Sequence, residues 1–130
     1  MNPLHVLVIE NEQGVADAAV DELEASRHVV HRCFAQGAPS FPCLAITNPR
    51  RCPLYGEIDV VLAVRDDRRP VTPYELGISC AVRAGVPVVV LAPEGADRFG
   101  HLAEAHAAPG TVTAVCERVA QGSWVSSYVN

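Results

Sequence analysis

No lysine occurs in these 130 residues, and all ten cations are arginine. That absence excludes a phosphate-binding loop ending in Gly-Lys-Ser/Thr, and it excludes Schiff-base catalysis. No apolar run approaches the roughly 18 residues of a membrane span. The opening Met1-Asn2-Pro3-Leu4-His5 lacks the basic-then-apolar layout of a secretory signal, so a cytoplasmic chain without a membrane partner is expected. Closely spaced cysteine pairs are missing too. Cys33, Cys43, Cys52, Cys80 and Cys116 are an odd, scattered set, unlike a secreted disulfide framework, and reduced thiols are expected. Cations are few: 10 against 15 acids gives a net charge of -5, which argues against direct nucleic-acid binding.

What is present is material for one domain spanning residues 1–130. At 13.9 kDa, with 49% hydrophobic and 19% charged residues and a mean hydropathy of +0.16, the chain can bury a single core. Leu4–Ile9 is a nearly continuous apolar run, as in a parallel strand covered on both faces. From Gln13 to Ser26, Val15, Ala16, Ala19, Val20 and Leu23 recur at helical spacing, with Asn11 as the expected N-cap. His28–Phe34 reads as a second strand and Ile58–Val64 as a third. Thr72-Pro73-Tyr74-Glu75 opens a helix as N-cap, first-turn proline and capping-box glutamate, and Gly85 closes it. Pro87–Ala92 is a fourth strand. Phe99, Leu102, Ala103 and His106 at i, i+3, i+4, i+7 predict a short helix within Asp97–Ala107. Thr111–Val115 is then the fifth strand, followed by a helix up to Gln121.

This alternation predicts an α/β fold: a three-layer, doubly wound, five-stranded parallel sheet of flavodoxin-like order 2-1-3-4-5. Between the second and third strands, Pro39, Pro42, Pro49 and Pro53 break any ordinary helix, and an irregular loop containing Cys43 and Cys52 takes its place. Phe41, Leu44, Ile46, Leu54 and Tyr55 are expected to pack that loop down, and Cys43–Thr47 has the pattern of a short strand.

Ligands of such sheets bind at the carboxyl ends of the strands, near the reversal of strand order. That rule gathers Glu10, Asn11 and Glu12 after the first strand, Arg65, Asp66, Asp67 and Thr72 after the third, and Ala92–Asp97 after the fourth, with Glu75 close behind. The stretch VLVIENEQGVADAAVDELEASRHVV resembles the start of response-regulator receiver domains, and VPVVVLAP is similar to their fourth strand. The resemblance implies a receiver-like fold in bacterial signalling. It also implies a phosphoacceptor aspartate at the end of the third strand, acids for a metal after the first, a hydroxyl after the fourth and a lysine after the fifth. Here Val64 stands at the acceptor position, Ala92 at the hydroxyl position, and no lysine exists. The implied protein is an atypical receiver used without aspartyl phosphorylation.

A second stretch, IDVVLAVRDDRRPVTPYELGISCAVRAGVPVVVLAP, resembles the core of nucleoside 2-deoxyribosyltransferase-like enzymes. That resemblance implies Glu75 as a nucleophile at the anomeric carbon, with Asp66 or Asp67 orienting sugar or base. Val71-Thr72-Pro73 departs from the family's glycine-threonine before this helix, and Glu10-Asn11-Glu12 departs from its nucleobase loop.

Simpler roles compete with each of these. Glu75 is explained as a capping-box residue by Thr72. Glu10 and Glu12 suit a helix N-terminus as plain acids. Arg65, Arg68 and Arg69 beside Asp66 and Asp67 read as a mixed-charge surface loop, with anion binding as the alternative. His106 reads as a partly buried histidine, and Cys80 and Cys116 as small buried hydrophobes. His31, Cys33, Cys43 and Cys52 can be drawn as a zinc site, but without a Cys-x-x-Cys knuckle no metal is expected. No cofactor is implied. The expected function is a phosphorylation-independent receiver-like regulatory or binding module, with Glu10, Asn11, Glu12, Arg65, Asp66, Thr72 and Glu75 around its ligand site. Its expected partner is a protein or a small anionic or nucleoside ligand, and homodimerisation is compatible with the chain. The alternative is the nucleoside-processing enzyme.

Overall fold

The computed structural model describes residues 2–34, 43, 52–66, 70–93 and 99–122. Five strands form one parallel sheet in the order β2-β1-β3-β4-β5: β1 (His5–Glu10), β2 (Val29–His31), β3 (Val60–Val64), β4 (Val88–Leu91) and β5 (Ala105–His106). The expected order 2-1-3-4-5 is therefore present. The three central strands are runs of aliphatic residues because both faces of the sheet are covered.

Alternation along those strands divides the core into two layers. Leu4, Val6, Val8, Val60, Leu62, Val64 and Val89 pack under α1 (Asp17–Ala25) and α3 (Val112–Ala120), which bring Ala19, Val20, Leu23, Val112, Val115, Cys116 and Val119. Leu7, Ile9, Val61, Ala63, Val88 and Val90 face the other way, onto Ile78 and Ala81 of α2 (Gly77–Arg83). Each fully buried aliphatic side chain contributes roughly 1.5–3 kcal/mol of transfer free energy. Among the described residues the second face carries one α-helix where the first carries two. Leu54, from a 3₁₀ turn at Pro53–Tyr55, fills part of the gap together with Ile58, Phe99, Leu102 and Ala103.

Several boundaries differ from the sequence expectation. Thr111–Val115 is not a strand; Thr111 precedes α3 and Val112–Val115 form its first turn. The β-branched residues there suggest a strand, but Val112, Val115, Cys116 and Val119 recur at i, i+3, i+4, i+7, and burial of that stripe decides the outcome. The fifth strand is Ala105–His106, inside the predicted Asp97–Ala107 helix, of which only a 3₁₀ turn at Gly100–Leu102 is formed. Backbone hydrogen bonds from Glu104 N–H to Val88 O and Ala107 N–H to Val90 O extend its pairing with β4. His106 is exposed rather than partly buried, as are Cys80 and Tyr55. α1 begins at Asp17, later than expected, because Gly14 at φ 94° turns the chain first; Asn11 is not its N-cap. The Cys43–Thr47 strand lies outside the described residues except for Cys43, as do Phe41, Leu44 and Ile46.

Candidate functional site

The carboxyl ends of β1 and β3, where strand order reverses, meet the loop that leads into α2. Arg65 directly follows β3, and its N–H donates to Leu91 O, continuing the ladder with β4. Its side chain turns inward, and the residue as a whole is 3% exposed. Nε donates to Glu75 Oε2 at 2.7 Å, and Nη2 donates to Glu75 Oε1 at 2.9 Å and to Pro70 O at 2.9 Å. Arg65 is thus half of a buried bidentate ion pair, which corrects its reading as part of a surface loop.

Glu75, 2% exposed, closes a 3₁₀ turn at Pro73–Glu75. Its Oε1 also accepts the Thr72 N–H at 2.8 Å, which is the expected capping-box contact. Both carboxylate oxygens are engaged, by three N–H bonds in all. The Thr72 hydroxyl donates to Asn11 O at 2.7 Å, tying this loop to the end of β1. Asn11, 1% exposed, donates its own N–H to Val64 O, and its Nδ2 lies 3.4 Å from Asp66 Oδ1. Asn11, Arg65, Asp66, Thr72 and Glu75 are therefore one network, as the strand-end rule anticipates. Glu12 and Asp66 are exposed, while Asp67, Arg68 and Arg69 lie outside the described residues.

Glu10 belongs to a different arrangement. It pairs in register with Val64, but its carboxylate faces β2: Oε1 accepts the Ala16 N–H at 2.9 Å, and Oε2 accepts from Arg32 Nη1 at 3.0 Å. Glu10 therefore supplies the acceptor that α1 lacks at its own N-terminus. It also lines a cavity of about 310 Å³ between the ends of β1 and β2, with Gln13, Gly14, Asp17, Arg32, Cys33, Phe34 and Tyr74. Phe34 and Tyr74 meet edge to face, with ring centroids 5.3 Å apart at 78°.

Tyr74 joins the two parts, because its neighbour Glu75 is held by Arg65 while its own ring walls the cavity. Of the residues expected at the site, Glu10 alone lines the cavity. Arg32, Phe34, Tyr74, Gln13 and Asp17 escaped the sequence reading. Arg32 and Phe34 were legible by one signal: they follow β2, and every strand of a parallel sheet delivers its carboxyl end to the same edge.

Two histidine pairs lie away from this site. His28 is buried; its Nδ1 accepts the Leu4 N–H at 3.0 Å and its Nε2 is 2.8 Å from Glu117 Oε2, which joins the start of β1 to α3. His5 and His31 stack across β1 and β2, with Nδ1 and Nε2 2.9 Å apart. Burial, and then the charge of His5, hold the His31 imidazole below its ordinary value. No helix among the described residues is long and apolar enough to cross a membrane. No protein-family model, curated protein or solved structure matches the chain.

Proposed function

We propose that the protein is a phosphorylation-independent receiver-like regulatory or binding module in bacterial signalling, with the cavity between β1 and β2 as its recognition site. The observation that carries this reading is the Arg65–Glu75 pair. It fills the edge of the sheet where a reactive group would stand, each side chain 1% exposed, with the carboxylate fully engaged. Val64, 5% exposed, offers no nucleophile beside it. The acids after β1 are also committed or displaced: Glu10 serves Ala16 and Arg32, position 11 is the neutral Asn11, and Glu12 is exposed. A divalent ion and an aspartyl phosphate would need carboxylates converging there.

The cavity suits one small organic ligand or one inserted side chain of a protein partner. Among its described lining residues, Glu10 and Asp17 outnumber Arg32, which favours a neutral or hydrogen-bond-donating occupant such as a nucleoside over an anion.

The alternative, a nucleoside 2-deoxyribosyltransferase-like enzyme, needs the Glu75 carboxylate to reach an anomeric carbon. Here that carboxylate would first have to leave Arg65 and enter solvent-accessible space. Incubation of the wild-type chain with a panel of nucleosides and deoxynucleosides tests the choice. The module predicts binding without release of free base. Base release that scales with protein concentration would establish the enzyme instead.

A further inference from the structure

β2 is the outermost strand of the sheet, so among the described residues its far edge has no strand partner. Val29 N–H donates to Leu4 O, which turns the main chain of Val29 toward β1. In a parallel ladder alternate residues bond to the same neighbour, so Val30 presents its N–H and C=O outward. Native sheets blunt such edges with lysine or proline. β2 reads Val29-Val30-His31 and carries neither.

A groove of about 610 Å³ runs beside this edge, between β2 and α1. Its floor is Val20, Val30 and Phe34, and its helical wall is Asp17, Asp21 and Glu24. Asp17, Val20, Asp21 and Glu24 stand at i, i+3, i+4, i+7 and so share one flank of α1, while Val30, Arg32 and Phe34 alternate along the chain through and beyond β2. The three carboxylates are exposed and, among the described residues, no basic side chain lies in ion-pair range of them. Arg32 is already held by Glu10 at 3.0 Å. The open edge is therefore flanked by apolar side chains and a row of uncompensated acids.

We propose that this edge takes up an extended, arginine- or lysine-rich segment of a partner protein as an added strand, with its basic side chains against Asp17, Asp21 and Glu24. Main-chain bonds to Val30 supply the docking, and the side chains supply the choice of partner. Alternate side chains of an extended segment point the same way about 7 Å apart, and Asp17 to Glu24 spans about 10 Å along α1. A basic-x-basic pattern matches that row. The aliphatic stems of such side chains cover Val30 and Phe34 while their charged ends reach the carboxylates. A second copy of this chain is a poorer occupant, because its own β2 edge carries the same acidic row and its Arg32 is committed to Glu10. The proposal rests on the reading of the chain as a binding module, but it uses a different surface: Asp21 and Glu24 line the groove and not the cavity between β1 and β2.

The test titrates the full chain with a fluorescent hexapeptide of alternating arginine and valine, followed by anisotropy and by amide NMR. The expected result is saturable binding of about one peptide per chain, with slowed hydrogen exchange at the Val30 amide. The double variant Asp21→Asn with Glu24→Gln, changed only at exposed positions, should bind about tenfold more weakly. A peptide with proline in place of its second valine keeps the charge and loses a strand donor, and it too should bind about tenfold more weakly. The proposal is overturned if the hexapeptide does not bind, or if the proline peptide binds as well as the original, which would mark plain attraction of a polycation. It is equally overturned by a chain that dimerises through Val30 and excludes the peptide. Nucleoside binding measured on the same chain separates this proposal from the cavity reading. Nucleoside binding without peptide binding overturns the strand-addition proposal alone, whereas peptide binding without nucleoside binding upholds it and counts against the cavity.

Discussion

Glu75 shows how one side chain can satisfy a local rule and a tertiary one together. The Thr72-x-x-Glu75 spacing announces a capping box, and the Thr72 N–H does donate to Glu75. Nothing local announces Arg65, ten residues earlier, which reaches the same carboxylate from the end of β3. A cap alone would tolerate Glu75→Gln at well under about 1 kcal/mol. With Arg65 buried against it, the same change strands a guanidinium in the interior, and a loss of about 3–5 kcal/mol is expected in urea denaturation. Replacing both partners, as Arg65→Met with Glu75→Leu, should recover part of that loss. The Thr72 N–H and Pro70 O left without these partners set the remaining cost. His31 gives a prediction in pH. Its imidazole is held below 6.5 in the folded chain, so the unfolded chain takes up that proton first as pH falls. This contribution is intact above about pH 6.5 and declines below it. Denaturation at neutral and mildly acidic pH should show a smaller acid loss in His31→Gln than in wild type.

The helices end by a shared device, and one of them departs from the usual residue. Gly85 after α2 and Gly122 after α3 take positive φ, 77° and 72°, where glycine is unstrained. After α1 the same position is Arg27, at φ 68°, with Arg27 N–H bonded to Glu24 O and His28 N–H to Leu23 O. The paired bonds are those of a Schellman motif, held here at the steric expense of a left-handed arginine. Arg27→Gly should therefore raise stability by about 0.5–1 kcal/mol, whereas Gly85→Ala should lower it by about 1 kcal/mol, both measured by thermal or urea unfolding. Element type was legible wherever burial and propensity agree, as in β1, β3, β4 and α1. It was misread at the C-terminal end, where they conflict. Thr111–Val115 has strand-like residues on a helical stripe, and Ala105–His106 is a strand because β4 offers an open edge, a tertiary reason no local pattern contains.

For the molecule as a whole, alternation of apolar runs and amphipathic stretches was enough to place the strand order and hence the edge that carries the site. The residues on that edge were only partly legible. Asn11, Arg65, Thr72 and Glu75 follow from counting strand ends, but counting does not reveal that they satisfy one another. Nor does it reveal that Glu10 turns away to Arg32 and the cavity. The central proposal is that this flavodoxin-like sheet, whose strand edge is occupied by the Arg65–Glu75 ion pair, serves as a receiver-like module without phosphotransfer. An amide NMR spectrum of the full chain, recorded with Mg²⁺ and then with added beryllofluoride, tests it most directly. The account predicts that resonances of Asn11, Val64, Arg65, Thr72 and Glu75 stay in place through the titration. A saturable, Mg²⁺-dependent shift of those resonances, with one beryllofluoride bound per chain, would contradict it.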